Sequence, residues 1–279
     1  MKNILIPTDF SNNAYNAFFH AAQLMQGEQC TFHLLNVYNE HTLLQSKNGI
    51  GKNLSQQLVE ESEDGLQNVC HRITLDQPDK QHVYKTISKK GYLSDVIYEI
   101  VDSKHIDLVI MGNSGRSEVE AIFLGSSVLD TIGKIKQCPV LTIPKETNFT
   151  SPKEIAFVTD FGRNFDAGLL EPLLYIVKQY KSKICVMHIN EKEVLDREQE
   201  MNRSVLLEYL SHLDYSLHWM PLFKNKTTTI HTFLDELGIN MLAMVNYPHS
   251  FLERITREPV IKRVAFDLDI PFLIMPSTD

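Results

Sequence analysis

A stretch rich in glycine and serine lies between an apolar run and an amphipathic segment, and its residue types suit anion binding. The apolar residues 108–111 are followed by Gly112 and Gly115, and nine residues then separate Gly115 from the Gly-Ser-Ser run at 125–127. Glycines let backbone N–H groups approach an anion closely, and a helix start adds N–H donors and a favourable dipole. Serine hydroxyls can also donate to phosphate oxygens. The stretch therefore predicts a phosphate-binding loop.

The spacing of this stretch, Gly-x2-Gly-x9-Gly-Ser, resembles the nucleotide loop of the ATP-binding branch of the universal stress protein family. The Cys-Pro-Val-Leu-Thr-Ile-Pro run at 138–144 adds to the resemblance. The resemblance implies a UspA-like stress-response protein that binds ATP, with or without Mg²⁺, and acts as a nucleotide-dependent sensor or signalling module. The alternative for the glycines is that they only shape a turn.

The resemblance also implies which residues contact the nucleotide. Asp9, after the first predicted strand, would recognise the edge of adenine, and Val37, after the second, would line the base pocket. The implied contacts are Pro7, Thr8, Asp9, Val37, Met111, Gly112, Ser114, Gly115, Arg116, Gly125, Ser126 and Ser127.

Three of these residues also fit other interpretations, which the sequence leaves open. Asp9 could cap the following helix, because Asp160 stands in a second Thr-Asp-Phe run that lacks the glycine loop. Met111 could be a core residue instead of a neighbour of the ribose or base. Arg116 could reach a phosphate or be solvated, as single surface arginines usually are.

Strand and helix patterns alternate along the first half of the chain, which is typical of a parallel sheet with right-handed crossovers. Ser11 is a candidate N-cap, and Gly27 is a candidate helix end. Counting the crossovers gives a five-stranded, doubly wound α/β unit. The predicted strands lie at 2–10, where Pro7 stops the strand, and at 31–37, 82–87, 108–111 and 140–143. The predicted helices are 12–26, 54–72, 93–103 and a segment from 128 to 135.

The strand order implied by the resemblance is 3-2-1-4-5, which makes the first and fourth strands neighbours. Open α/β sheets bind ligands at the point where the strand order reverses. The loops that follow these two strands contain Pro7-Thr-Asp9 and the glycine stretch. Motif and topology therefore predict the same site.

The second half of the chain repeats the first, with Thr-Asp-Phe recurring 151 residues later. The expected fold is two tandem Rossmann-like units of the adenine nucleotide alpha hydrolase-like type. The expected domains are a nucleotide-binding universal stress protein domain at 1–146 and a degenerate one at 152–279. The matching segments in the second half are 153–161, 183–189, 194–212, 217–223, 228–237, 239–246, a helix pattern at 260–267, and 270–276.

The second copy lacks the glycines of the first. Val245-Asn-Tyr-Pro248 takes the place of residues 112–115, and about Arg257-Glu-Pro259 takes the place of residues 125–127. Proline has no N–H to donate, so we predict one nucleotide per chain. The last strand of each copy is a predicted sheet edge. The resemblance implies intramolecular pairing of the two domains through these strands. The chain would then be self-sufficient as a pseudo-dimer or would dimerise further into a homodimer.

Composition excludes several classes of function. The net charge of −8, without a basic run, disfavours nucleic acid as a partner. No apolar run reaches the roughly 18 residues that span a bilayer, and a strand pattern begins by Ile4, so a cytoplasmic location is expected. The four scattered cysteines and the absence of Cys-x-x-Cys and His-Glu-x-x-His disfavour disulfide and zinc sites.

The sequence contains no catalytic constellation. Residues 49–53 superficially resemble a P-loop but lack its early glycine and the Ser or Thr after the lysine. No Gly-x-Ser-x-Gly elbow and no His-Ile-Gly-His signature occurs. We therefore expect at most slow ATP hydrolysis. The alternatives to a nucleotide-dependent sensor are a slow ATPase and an interaction or scaffold protein that binds no nucleotide.

Overall fold

The computed structural model describes residues 1–39, 54–113, 126–145, 147–190, 194–247 and 268–277. The chain divides into two compact units, Met1–Phe149 and Thr150–Asp279. Within the described ranges, no helix is both long enough and apolar enough to cross a membrane.

The first unit is a parallel sheet with helices between successive strands. The strands described in it pair in the order β3-β2-β1-β4-β5. This confirms the predicted five-stranded, doubly wound sheet with β1 beside β4. The elements are β1 (Lys2–Pro7), α1 (Asn12–Leu24), β2 (Cys30–Tyr38), α2 (Leu54–Asp76), β3 (His82–Lys90), α3 (Leu93–Ser103), β4 (Leu108–Gly112), α4 (Ser126–Lys134) and β5 (Val140–Ile143).

The central strands of this unit are apolar runs because helices cover both faces of the sheet. Ile4, Leu5 and Ile6 of β1 are all fully buried. Helix α1 packs against α2, and α3 packs against α4. Right-handed crossovers place these two helix pairs on opposite faces, so the carboxyl edge of the sheet opens between them.

Local sequence sets the start of helix α1, whereas pairing with a neighbouring strand sets the end of β3. Ser11 is the N-cap of α1, as predicted, and its Oγ accepts a hydrogen bond from the N–H of Ala14 at 3.2 Å. Strand β3 continues three residues past the predicted Ile87, because its last residues, 88–90, pair with residues 36–38 of β2. The partner strand, not the local pattern, sets this end.

The second unit has the same topology. Its described strands pair in parallel in the order β10-β9-β6-β7-β8, which from the other end is the order of the first unit. The predicted helix pattern at 260–267 lies outside the described residues. The elements are β6 (Glu154–Val158), α5 (Ala167–Tyr180), β7 (Lys183–Asn190), α6 (Arg197–Leu210), β8 (Tyr215–Pro221), α7 (Lys226–Leu237), β9 (Met241–Asn246) and β10 (Phe272–Pro276).

Helix α5 was not assigned from the sequence. Gly168 and Pro172 lie inside it and weaken its helical signal. It forms because its N-cap Asp166 accepts a hydrogen bond from Leu169 and because an apolar face packs into the core. The buried residues of that face are Leu169, Leu170, Leu173, Ile176 and Val177.

Candidate functional site

A cavity of about 540 Å³ lies at the carboxyl ends of the strands of the first unit. This volume is within the range of roughly 300–1,000 Å³ that is usual for small-molecule sites. Segments that follow β1, β2, β3 and β4 contribute to its wall. The described lining residues are Pro7, Thr8, Asp9, Asn13, Ala14, Val37, Asn39, Gly91, Tyr92, Leu93, Ser94, Asp95, Met111, Gly112, Asn113, Ser127, Val128 and Asp130.

The cavity brings together much of the predicted contact set. Ser126 is the exposed first residue of α4 and is not among the described lining residues. Ser114, Gly115, Arg116 and Gly125 lie outside the described residues. The predicted contacts that line the cavity are Pro7, Thr8, Asp9, Val37, Met111, Gly112 and Ser127.

Met111 fits both of the interpretations that the sequence left open. Its side chain is part of the core, with 5% of its surface exposed, and it also lines the cavity. A residue at the carboxyl end of a central strand can serve both roles, because that end borders the core and the crevice.

The turn after β1 is held by two side chains. Thr8 Oγ1 accepts from the N–H of Phe10, and Asp9 Oδ1 accepts from the N–H of Ser11, both at 3.0 Å. Phe10 has a left-handed φ of 65°. Asp9 therefore shapes the turn between strand and helix, whereas Ser11 caps the helix, so the interpretation of Asp9 as a helix cap was wrong.

The second unit repeats this turn. Thr159 Oγ1 accepts from Phe161 at 3.0 Å, and Asp160 Oδ1 accepts from Gly162 at 2.8 Å. Phe161 also has a left-handed φ, of 55°. The N-cap of the following helix is Asp166, so Asp160 is not its cap either.

A side chain from the second strand of each unit fixes the same turn. Asn36 Nδ2 donates to the carbonyl of Thr8 at 2.7 Å, and His188 Nδ1 bonds the carbonyl of Thr159 at 3.1 Å. His33 also bonds within the sheet, through Nε2 to Asn3 Oδ1 at 3.3 Å. His33 and His188 are therefore hydrogen-bonded strand residues.

Gly112, at the end of β4, lies against Asn13 of α1. A Cβ at this position would lie 2.5 Å from Asn13 Nδ2 and 3.1 Å from the backbone oxygen of Asn13. Such distances are too short for ordinary packing, so the glycine permits this contact in addition to any role beside a ligand. Asn13 is a buried polar residue that lines the cavity. The sequence analysis missed it.

Comparison with known proteins agrees with the fold. The sequence model of the universal stress protein family matches residues 1–144, more than half of the chain. The chain belongs to the universal stress protein family. The predicted resemblance is thereby confirmed.

Two archaeal relatives show how far the sequence likeness extends. The chain is 29% identical over 145 residues to universal stress protein MJ0531 of Methanocaldococcus jannaschii, over 52% of this chain and 82% of that protein. It is 28% identical over 164 residues to universal stress protein MJ0577 of the same organism, over 53% of this chain and 97% of that protein.

A solved structure extends the likeness of fold to the whole chain. The crystal structure of a universal stress protein from Archaeoglobus fulgidus DSM 4304 covers 99% of this chain and 97% of its own, with a TM-score of 0.72. The identity is 16%, so this similarity is one of fold.

The described wall of the cavity in this universal stress protein is acidic. Asp9, Asp95 and Asp130 line it, and no Lys or Arg is among the described lining residues. Lys134, in the last turn of α4, forms an ion pair with Asp95. Within the described part of the chain, no group of three or more His, Cys, Asp or Glu could hold a metal ion.

Asn113 is a further polar residue of the wall. Asn113 lines the cavity, and its Oδ1 is buried without a hydrogen-bond partner among the described residues. Its backbone N–H donates to the carbonyl of Ile143 at 2.9 Å, which fixes the end of β4.

The sequence analysis missed the wall formed by residues 91–95, at the junction of β3 and α3. These residues contain no glycine motif and lie about twenty positions before the glycine stretch. The strand order brings the end of β3 to the same edge as the end of β4. The signal that could have found them is their place in the strand order. Every loop at the carboxyl edge of the sheet near the switch point is a candidate part of the ligand site.

Proposed function

We propose that this universal stress protein binds ATP in the cavity of its first unit and acts in the stress response as a nucleotide-dependent sensor or signalling module. The strongest support is that predicted contacts from separate parts of the chain lie around one cavity. Residues predicted to contact the nucleotide come from four separate segments, at the carboxyl ends of β1, β2 and β4 and in α4, and line one cavity of suitable volume.

The arrangement of the wall suggests how the nucleotide would lie. The phosphates would point toward Gly112, at the end of β4, and toward Ser127, at the start of α4. Backbone N–H groups at the helix start and the Ser127 hydroxyl can donate hydrogen bonds to them. The base would lie at the other end, beside Val37. The predicted contacts Ser114, Gly115, Arg116 and Gly125 remain part of the proposal.

The acidic wall favours a nucleotide whose phosphate charge is partly neutralised by a cation. Asp130, and Asp95 despite its ion pair with Lys134, would repel free phosphates. Mg²⁺ is commonly held by nucleotide phosphates together with only one or two carboxylates. Bound with the nucleotide, Mg²⁺ would reduce this repulsion. We therefore expect ATP to bind more tightly in Mg²⁺ than in a chelator.

Calorimetric titration with ATP tests the proposal on the whole chain. Val37→Glu places a charge beside the base and should weaken binding at least about tenfold, which corresponds to about 1.4 kcal/mol. Ile189→Glu is the matched control. Ile189 follows His188 as Val37 follows Asn36, and both residues are half-buried.

Each outcome of this titration has a clear meaning. Binding by the wild type and by Ile189→Glu, but not by Val37→Glu, supports the proposal. If the folded wild type shows no heat with ATP at millimolar concentration and releases no adenine nucleotide on denaturation, the proposal is wrong, and the interaction or scaffold alternative stands. Turnover of labelled ATP distinguishes a slow ATPase from a binding protein.

Four further expectations come from the sequence and its resemblance. They are the domain ranges 1–146 and 152–279, the cytoplasmic location, the pairing of the two domains and the homodimer. None of them is needed for the nucleotide proposal, which concerns the first unit.

A further inference from the structure

Tyr92 occupies an unusual place at the junction of β3 and α3. It lines the cavity, yet 68% of its surface is exposed. A large aromatic side chain gains stability mainly by burial, and most large apolar side chains of the first unit are in its core. Exposure at the wall of a cavity is therefore notable, because a ligand could bury the ring.

The position of Tyr92 also departs from local preference. It is the N-cap of α3 and makes no capping hydrogen bond with its side chain. Ser, Thr, Asp and Asn are the residues that stabilise this position. Elsewhere in the described chain, capping side chains are provided by Ser11, Asp166, Asp196 and Asn225. Residues that break a local rule without a gain in packing are often functional.

The sheet topology places Tyr92 at one end of the cavity. In the order β3-β2-β1-β4, the end of β3 lies beyond β2, on the side away from β4. Val37 at the end of β2 therefore lies between Tyr92 and the turn after β1. Gly112, at the end of β4, lies on the opposite side of that turn. By strand order, Tyr92 is thus on the side of the proposed base and Gly112 is on the side of the proposed phosphates.

We propose that Tyr92 is a binding residue that stacks on the nucleobase. This inference rests on the proposed function, because it assigns a role within the same cavity. Stacking of a base on an aromatic ring changes affinity by about 5- to 150-fold when the ring is removed. The effect should be the same for any ligand that contains the base, whatever its number of phosphates.

The decisive variant is Tyr92→Ser, because it separates binding from folding. Serine removes the ring but supplies an oxygen suited to the N-cap. We expect a melting temperature equal to or above that of the wild type, with about 5- to 150-fold weaker binding of both ATP and adenosine. Tyr92→Phe keeps the ring and should retain affinity within about twofold.

Tyr98→Ala is the matched control. Tyr98 lies on the same helix and is 43% exposed, but it is not among the described residues that line the cavity. The Tyr98→Ala variant should bind ATP and adenosine with the affinity of the wild type.

The outcomes distinguish this inference from the proposed function. If the wild type binds neither ATP nor adenosine, the proposed function itself has failed. If the wild type binds them and Tyr92→Ser binds both equally well, Tyr92 does not stack on the base. An affinity loss for ATP without a loss for adenosine would also overturn the inference, because it would place Tyr92 at the phosphate end.

Discussion

Gly112 is the residue at which packing and the proposed ligand contact meet. It ends β4, lines the cavity and faces Asn13 of α1. A side chain here would clash with Asn13, so either that side chain or α1 would have to shift. The requirement for glycine at this position is therefore first one of packing between a strand and a helix.

We predict that Gly112→Ala destabilises the protein by about 1–3 kcal/mol, because the added methyl overpacks the contact with Asn13. Gly133→Ala in α4 is the matched control, since a Cβ there meets no heavy atom of the described residues within 4 Å. Gly133→Ala should be neutral or stabilising by up to about 1 kcal/mol. Urea unfolding measures both, and equal effects would contradict this account of Gly112.

Substitutions at Asp9 and Asp160 can separate the role of the aspartate in the turn after the first strand of each unit from its role in nucleotide binding. Both accept a backbone N–H through Oδ1, and asparagine keeps an oxygen for that bond. We predict that Asp9→Asn and Asp160→Asn each change the free energy of unfolding by less than about 0.5 kcal/mol. Only Asp9→Asn should weaken nucleotide binding, by about tenfold, because a hydrogen bond to a charged group is worth about 1.5–3 kcal/mol.

Calorimetry on the two variants checks this prediction. Unchanged affinity in Asp9→Asn would show that the carboxylate serves the turn alone. An equal loss in Asp160→Asn would show that the effect does not come from the cavity of the first unit.

At the scale of elements, α1 links the cavity to the segment that follows β5. Asn13, Asn16 and His20 are spaced so that they lie along one side of the helix. Asn13 lines the cavity. Asn16 Nδ2 donates to the carbonyl of Thr147 at 3.2 Å, and His20 Nε2 bonds the same oxygen at 2.8 Å. The His20 ring also packs edge-on against Phe149.

Burial lowers the pKa of His20 below its ordinary value of 6.5, although the bond to Thr147 opposes this shift. Below pH 6.5 the unfolded chain therefore binds more protons at this residue than the folded protein does. Stability is fully present above pH 6.5 and falls as the pH decreases through the range between 6.5 and the lower folded pKa.

We predict that His20→Gln loses less stability than the wild type when the pH is lowered from 7.5 to 5.5. Burial also lowers the pKa values of His33 and His218, but both residues are present in the two proteins, so the difference reports His20. Urea unfolding at several pH values measures it. Parallel stability curves would contradict the prediction.

At the scale of the whole molecule, the duplication has kept the scaffold and changed the candidate site. Both units share the strand order and the Thr-Asp-Phe turn. At the place of Gly112 and Ser114, the second unit has Val245 and Tyr247, which are 5% and 6% exposed. Their side chains occupy buried space where the first unit would let backbone approach a phosphate.

We predict that the chain binds one nucleotide, not two. Titration with a non-hydrolysable ATP analogue should saturate near one per chain, because the second unit has lost the glycines on which close backbone approach depends. Val37→Glu should remove this binding, and Ile189→Glu should leave the stoichiometry unchanged. A second site of comparable affinity, lost on substitution in the second unit, would overturn the prediction.

Much of the fold could be predicted from the sequence because its signals are local. Helix α3 and strand β5 have the predicted bounds, 93–103 and 140–143. The first is a strongly amphipathic segment, and the second is a short apolar run beside a proline, so neither needs a partner to be recognised. The duplication and the glycine spacing are also properties of the sequence alone.

Tertiary structure decided the features that depend on residues distant in the chain. The length of β3 follows from pairing with β2, and the requirement for glycine at 112 follows from contact with Asn13. Tyr92 joins the candidate site only because the strand order brings the end of β3 to the edge shared with β1 and β4. Such contacts have no periodicity in sequence, since packing between elements, not spacing along the chain, sets which side chains meet.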